Sequence, residues 1–169
     1  RVYKKPIFIK KYYSYQKDEV MLLKKIGPVY EEKTRSQGIN KAINNKADIA
    51  ILDDGFQDHS VKKNLSIICF SEKQWIGNGY TIPSGPLREK LSALKKVKCV
   101  VINGKKNTKI EKIIFKINKK IKIFYTLYRA KNIKKFKKRK IISFAGIGNP
   151  SNFFNLLNEN KLNIIKNIN

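Results

Sequence analysis

The run Ile49-Ala-Ile-Leu-Asp53-Asp54-Gly55-Phe56-Gln57 concentrates the most chemistry in this chain. A short apolar strand ending in two adjacent carboxylates puts them where open α/β sheets bind ligands, and the glycine lets the chain turn sharply there. One such carboxylate can hold Mg²⁺, directly or through water, while the other orients a water or a lysine, as in a Walker-B-like arrangement. An exposed acidic turn after a strand is the plainer alternative. A second segment, Gly77-Asn78-Gly79-Tyr80-Thr-Ile-Pro83-Ser-Gly85-Pro86-Leu87-Arg88-Glu89, packs glycine and proline into a rigid loop. Arg88 can grip a phosphate or carboxylate bidentately, and Glu89 can order Arg88 or bind a hydroxyl. A structured crossover would need the same glycines and prolines.

Other residues carry weaker signals. Asp18 and Glu19 open a helical stretch, where acids complement the helix dipole in any protein. His59 is the only histidine, and a single histidine without a placed partner implies little. Gly146-x-Gly148 precedes a helix start, but the rest of the dinucleotide spacing is absent. Trp75 reads as a packing residue, with a lipid- or sugar-facing role as the alternative. The phosphate-cradling pattern G-x-x-x-x-G-K-[ST] does not occur in these residues.

The elements that must position these groups alternate between short apolar strands and amphipathic helices, which predicts an α/β sheet with mostly parallel strands. Ile7–Ile9 is a first strand after Pro6. Glu19 to Lys25 is a short helix carrying Val20, Leu22 and Leu23, ended by Gly27 and Pro28. Thr34-Arg-Ser-Gln37 has capping-box spacing and leads into Ile39, Ala42 and Ile43 on one helical face. Ile49–Leu52 is apolar on both faces and reads as a central strand covered by helices; Leu65–Phe70 and Cys99–Ile102 repeat the pattern. Cys69 and Cys99 fall inside these strands and read as buried, reduced thiols. From Ile113 to Leu127, Phe115 and Ile117 alternate with Lys116 and Asn118, then Ile121 and Ile123 with Lys122, which predicts a half-exposed antiparallel hairpin serving as a linker. The basic run Lys131 to Lys140 reads as a solvated connector, with contact to an anionic surface as the alternative. A strand over Ile141–Ala145 then leads to a helix with Asn149 as N-cap, Pro150 at its first position, and Phe153, Leu156 and Leu157 on its buried face.

Thirty-eight Lys and Arg against twelve Asp and Glu give a net charge of +26 over 169 residues, with 41% hydrophobic content. That apolar fraction excludes a disordered chain, and two cysteines exclude a disulfide scaffold. No apolar run approaches the roughly 20 residues of a membrane-spanning helix. Lys far outnumbers Arg, and Lys, Ile and Asn abound throughout, as an AT-rich coding sequence produces without selection for binding. Attraction to polyanions is the remaining cause, but scarce Arg gives no nucleic-acid code.

Asp53-Asp-Gly-Phe-Gln57, then Gly77-Asn-Gly79 and Pro83-Ser-Gly-Pro-Leu-Arg-Glu89, then Ala145-Gly-Ile-Gly-Asn-Pro150 with Phe153-Phe154, together resemble the tetraacyldisaccharide 4′-kinase family in motif and order. The resemblance implies a P-loop-type three-layer α/β/α core, a β-hairpin linker and a second α/β domain. Residues 1–110 would be part of the kinase core, 111–130 the linker and 131–169 the start of the second domain. It implies transfer of the ATP γ-phosphoryl group, with Mg²⁺, to the 4′-hydroxyl of tetraacyldisaccharide 1-phosphate at the cytoplasmic face of the bacterial inner membrane. Asp18 would be the base, beside Glu19; Asp53 and Asp54 would lie at Mg²⁺-ATP, with Gln57 nearby. Asn78, Gly79, Arg88 and Glu89 would belong to the substrate loop. Peripheral contact with an anionic membrane is implied, and specific nucleic-acid binding is not.

This chain departs from the family pattern at Lys17, which replaces a glycine before Asp18, and at Asp58, which takes the place of a histidine and leaves His59 one residue later. The family's P-loop would lie upstream of Arg1 and the histidine supporting its base downstream of Asn169. The expectation is therefore an internal fragment, inactive by itself. Two rivals remain: a P-loop-type kinase or ATPase acting on another substrate, and a basic nucleic-acid-binding module, for which scattered charge and missing motifs give little support.

Overall fold

A computed structural model describes residues 5–15 and 17–168, which divide into two compact units, one up to Ser66 and one from Ile67. Every pairing between its strands is parallel. Parallel neighbours need crossover connections, supplied by α-helices except between residues 71 and 99, where a loop and a 3-10 turn make the crossing.

In the first unit the order is β1 (Pro6–Lys11), α1 (Lys17–Lys24), β2 (Val29–Glu32), α2 (Arg35–Asn44) and β3 (Ile49–Leu52). The sheet runs β2-β1-β3, with Ile9 opposite both Tyr30 and Leu52. Its core gathers Ile7, Ile9 and Ala42, with Tyr30, Ile39, Ala47 and Leu52 packed against them. The capping box forms as the spacing requires: Gln37 N–H donates to Thr34 Oγ1 at 3.3 Å, and Thr34 N–H to Gln37 Oε1 at 3.2 Å. Gly38 lets α2 lie directly on β1, since a Cβ there would stand 2.7 Å from Ile9 Cγ2. The central strand of this sheet is β1, while Ile49–Leu52, read from sequence as central, lies at its edge with Ile51 exposed. An apolar run reports burial propensity and not sheet order; β1 takes the middle because both its neighbours pair with it.

The second unit contains β4 (Ile67–Ser71), a 3-10 turn at Leu91–Lys96, β5 (Cys99–Asn103), α3 (Thr108–Ile117) and β6 (Lys122–Thr126), with sheet order β4-β5-β6. Fully buried Val100 and Ile102 of β5 form its core with Leu94, Val97 and Ile114. The hairpin expected over Ile113 to Leu127 does not form. Residues up to Ile117 are helical, and β6 runs parallel to β5 with Val100 beside Ile123. The alternation at Phe115 to Asn118 was a local coincidence inside the stronger helical set Ile110, Ile113, Ile114 and Ile117, whose spacing of three and four residues gives one apolar stripe. Asn107 caps α3 by accepting from Lys109 N–H and Ile110 N–H. Asn118 ends it, its amide donating to the Leu94 and Val97 carbonyls at 3.1 and 2.9 Å.

Cys69 is exposed and Cys99 half-buried, so the expectation of two buried thiols fails. Cys69 sits on the edge strand β4, which exposes Ile67 as well. Partial burial still raises the pKa of the Cys99 thiol, with a smaller contribution from Cys69. Farther along, β7 (Lys140–Phe144), α4 (Pro150–Glu159) and β8 (Asn163–Ile168) form a βαβ unit, with Asn149 and Pro150 at the helix start as expected, although the Asn149 side chain makes no capping hydrogen bond. Phe154 is the buried residue of the helix, and Phe153, Leu156 and Leu157, read from sequence as its buried face, are half-buried.

Candidate active site

The carboxyl ends of β1 and β3 and the first turn of α1 bring the acids of the first unit together. Lys10, the penultimate residue of β1, is only 3% exposed. Its ammonium donates to Asp53 Oδ2 at 2.9 Å and also ion-pairs with Glu19. A buried lysine must find anionic partners or lose its proton, and here it has two. Burial alone would lower its pKa, but hydrogen bonds and charge from Asp53 and Glu19 outweigh that and raise it. One cation thus ties the acid after β3 to an acid of α1. Asp18, the neighbour of Glu19, is exposed in the same first turn.

The turn after Asp53 is held just as firmly. Arg35, 8% exposed, donates from Nη2 to the carbonyls of Asp53 and Asp54 at 3.0 and 2.9 Å, and from Nη1 to Asp58 Oδ2 at 2.9 Å. Lys63 donates to the Gly55 carbonyl at 3.2 Å and to that of Asp58. Asp58 also accepts from the hydroxyl and the backbone N–H of Ser60. Ser60 and then Arg35 hold its carboxyl well below the usual carboxylate range. Asp54 adopts a left-handed backbone, φ 48°, which costs a non-glycine residue energy and is retained where surrounding structure dictates it. At Gly55 a Cβ would stand 2.6 Å from Leu52 Cβ, so only glycine fits this approach. Asp54 is exposed, and Gln57 is half-buried, its Oε1 without a hydrogen-bond partner among the described residues.

Of the residues expected from sequence, Glu19 and Asp53 meet on Lys10, and Asp54 shares their turn. His59 is exposed. Lys10 and Arg35 were not foreseen. Lys10 is one lysine among many, and Arg35 lay inside a capping motif; the usable signals were a lysine within a strand-like segment and an arginine in a chain poor in that residue.

In the second unit, the loop after β4 is closed by its own groups. Asn78 donates its amide to the Ser84 carbonyl at 2.8 Å and accepts from Tyr80 N–H at 3.2 Å. Gly85 lies so close that a Cβ there would meet Asn78 Oδ1 at 2.2 Å and the Tyr80 carbonyl oxygen at 2.3 Å. Gly79 takes φ 81°. Ile82 N–H donates to the Leu87 carbonyl at 2.8 Å, and the Ile82–Pro83 peptide is cis. This scaffold presents Arg88 exposed and Glu89 half-buried. Asn78 therefore builds the loop that carries Arg88. Trp75 packs on Phe70 with ring centroids 4.6 Å apart, in agreement with its packing reading.

Chemically, the first unit offers hard carboxylate oxygens of the kind Mg²⁺ takes, one or two at a time, together with phosphate oxygens and water. Asp53 and Asp54 are adjacent in this turn, Asp53 half-buried with Oδ2 accepting from Lys10 and Asp54 exposed. Among the described residues no group of three or more His, Cys, Asp and Glu could hold a metal by itself. None of the described helices is long and apolar enough to cross a membrane.

Comparison with known proteins gives a consistent result. The family model described as tetraacyldisaccharide-1-P 4′-kinase matches residues 13–169. The tetraacyldisaccharide 4′-kinase of Pelagibacter ubique is 42% identical over 95% of this chain and 52% of its own length. That of Haemophilus influenzae is 33% identical over 83% of this chain and 42% of its own, and that of Parvibaculum lavamentivorans 31% over 84% and 42%. The chain thus spans about half the length of the curated relatives it matches. No solved structure matches it.

Proposed function

The chain belongs to the tetraacyldisaccharide-1-P 4′-kinase family, and we propose that it supplies part of an enzyme that moves the ATP γ-phosphoryl group to the 4′-hydroxyl of tetraacyldisaccharide 1-phosphate in lipid A biosynthesis. The observation that carries this reading is the gathering of Glu19 and Asp53 on one buried ammonium, with Asp54 in the adjoining turn. Phosphoryl transfer depends mainly on positioning and charge neutralisation, so acids held rigidly at strand ends suit it.

In this reading Asp53 and Asp54 would hold Mg²⁺, and the ion would supply neutralisation of the charge on the transferred group. Asp18, beside Glu19 on α1, accepts the proton of the sugar hydroxyl as its oxygen attacks the γ-phosphorus and ADP departs. Gln57 lies at the nucleotide acids. Arg88 and Glu89, on the loop that Asn78 and Gly79 shape, bind the phosphorylated disaccharide. The reaction takes place at the cytoplasmic face of the bacterial inner membrane, with peripheral contact to anionic lipid and no specific nucleic acid.

The test uses a protein that carries this chain together with the further length its relatives possess. ATP-dependent phosphorylation of tetraacyldisaccharide 1-phosphate is measured beside Asp18→Asn and Asp54→Asn. Transfer by the parent, lost in both folded variants, supports the assignment. A folded, ATP-binding parent that leaves the lipid unmodified would transfer the reading to a kinase with another acceptor.

A further inference from the structure

Between β6 and the start of β7, eight of the twelve residues from 129 to 140 are Lys or Arg, and none is acidic. All eight are exposed, and none makes an ion pair among the described residues. The segment is wound tightly: Lys135 N–H donates to the Asn132 carbonyl, Phe136 and Lys137 N–H to that of Ile133, and Arg139 N–H to that of Phe136. Asn132 and Lys138 take left-handed turns at φ 58° and 66°. Winding like-charged side chains so closely without counter-charges stores mutual repulsion, which an external polyanion relieves. Phe136, 46% exposed, lies within the run, and Leu127 and Tyr128, 66% and 70% exposed, immediately precede it and line a concavity with Cys69 and Phe70.

We propose that residues 127–140 form a docking surface for an anionic lipid bilayer, with the lysines on the headgroups and Leu127, Tyr128 and Phe136 entering the interface. The combination distinguishes the partner. The lysine share does not separate the partners, since lysine outnumbers arginine throughout the chain. The exposed apolar side chains beside a dense positive run do, because an anionic lipid surface accepts both. An exposed leucine has no use against a phosphate backbone, but beside an exposed tyrosine it matches the apolar edge of interfacial anchors. This surface gives the proposed membrane contact a location and depends on that reading only for its choice of partner. Its test reads lipid contact without turnover, so its failure is distinguishable from failure of the kinase reading.

The full-length protein is floated with vesicles of phosphatidylcholine alone and of phosphatidylcholine mixed with phosphatidylglycerol. Each juxtamembrane cation contributes about fivefold to partitioning on an anionic surface, so the quadruple variant Lys134→Gln, Lys135→Gln, Lys137→Gln, Lys138→Gln should bind the mixed vesicles several hundred-fold more weakly. A control with the same loss of charge, Lys105→Gln, Lys106→Gln, Lys119→Gln, Lys120→Gln, also removes exposed lysines and should lose less than about tenfold. Leu127→Ser with Phe136→Ser should abolish the binding that survives high salt. Both segment variants should retain phosphorylation of detergent-dispersed substrate. Equal losses in the segment and control quadruples would overturn the proposal, because total charge would then explain binding. So would unchanged vesicle binding accompanied by weaker binding to a mixed-sequence DNA oligonucleotide.

Discussion

Replacing Lys10 with Met removes the ammonium but keeps most of the buried stem, so the effect reads the charge and not a cavity. At 2.9 Å from Asp53, an effective dielectric near 20 gives a gross attraction of about 6 kcal/mol. Most of that is offset by the desolvation of a lysine side chain only 4% exposed. The carboxylates pay less, since the side chains of Asp53 and Glu19 are 36% and 51% exposed and can rehydrate once the lysine is gone. Breaking a fully buried pair costs roughly 3–5 kcal/mol, and partial exposure brings the expected loss for Lys10→Met to about 2 kcal/mol. Urea unfolding of parent, Lys10→Met, Asp53→Asn and the double variant should give a coupling of about 1–1.5 kcal/mol between the two positions. A folded pKa raised above the ordinary 10.5 means that the lysine's contribution is fully present below that value and is lost as pH rises through the folded pKa. The coupling should therefore be level from neutral pH to about 9 and fade above about 10.5. Coupling below about 0.3 kcal/mol at neutral pH would refute the idea that this ammonium holds Asp53 in place.

Three further outcomes follow from the same contacts. Arg35→Met should destabilise by about 2–4 kcal/mol in chemical denaturation, because it strips two carbonyls and Asp58 of their donor, and should raise the KM for ATP. Asp58→Asn should cost about 1 kcal/mol near neutral pH; since the folded carboxyl titrates well below its ordinary 3.8, the parent's advantage should disappear as pH falls below that value, and thermal melts across acid pH should show the two curves converging. Gly38→Ala should lower stability by about 1–3 kcal/mol, since its methyl would stand 2.7 Å from Ile9 Cγ2 beneath α2, and the loss should register in the melting temperature.

Much of the fold was legible because local chemistry dictates it. The capping box at Thr34 and Gln37, the helix start at Asn149-Pro150, and the alternation of apolar strands with helices each depend on neighbours a few residues apart, and each appears as expected. The segment ending at Ile117 carries two patterns at once, and the longer helical stripe overrides the four-residue alternation it contains. Cys69 and Ile49–Leu52 were misplaced for another reason: an apolar strand looks the same at the centre or the edge of a sheet.

By itself, then, the sequence determined the family, through motifs whose order is specific, and the acids and glycines that chemistry requires at a strand end. Tertiary structure alone decided which cations serve them. Lys10 is one of many lysines until β1 lies beside β3 and Glu19 of α1 comes within reach of it, and Arg35 is a helix residue until the Asp53-Asp54 turn folds over it. Ion pairs across 43 and 23 residues of chain leave no periodic trace. They exist because burying a charge is tolerable only where the fold brings its partner within hydrogen-bond reach.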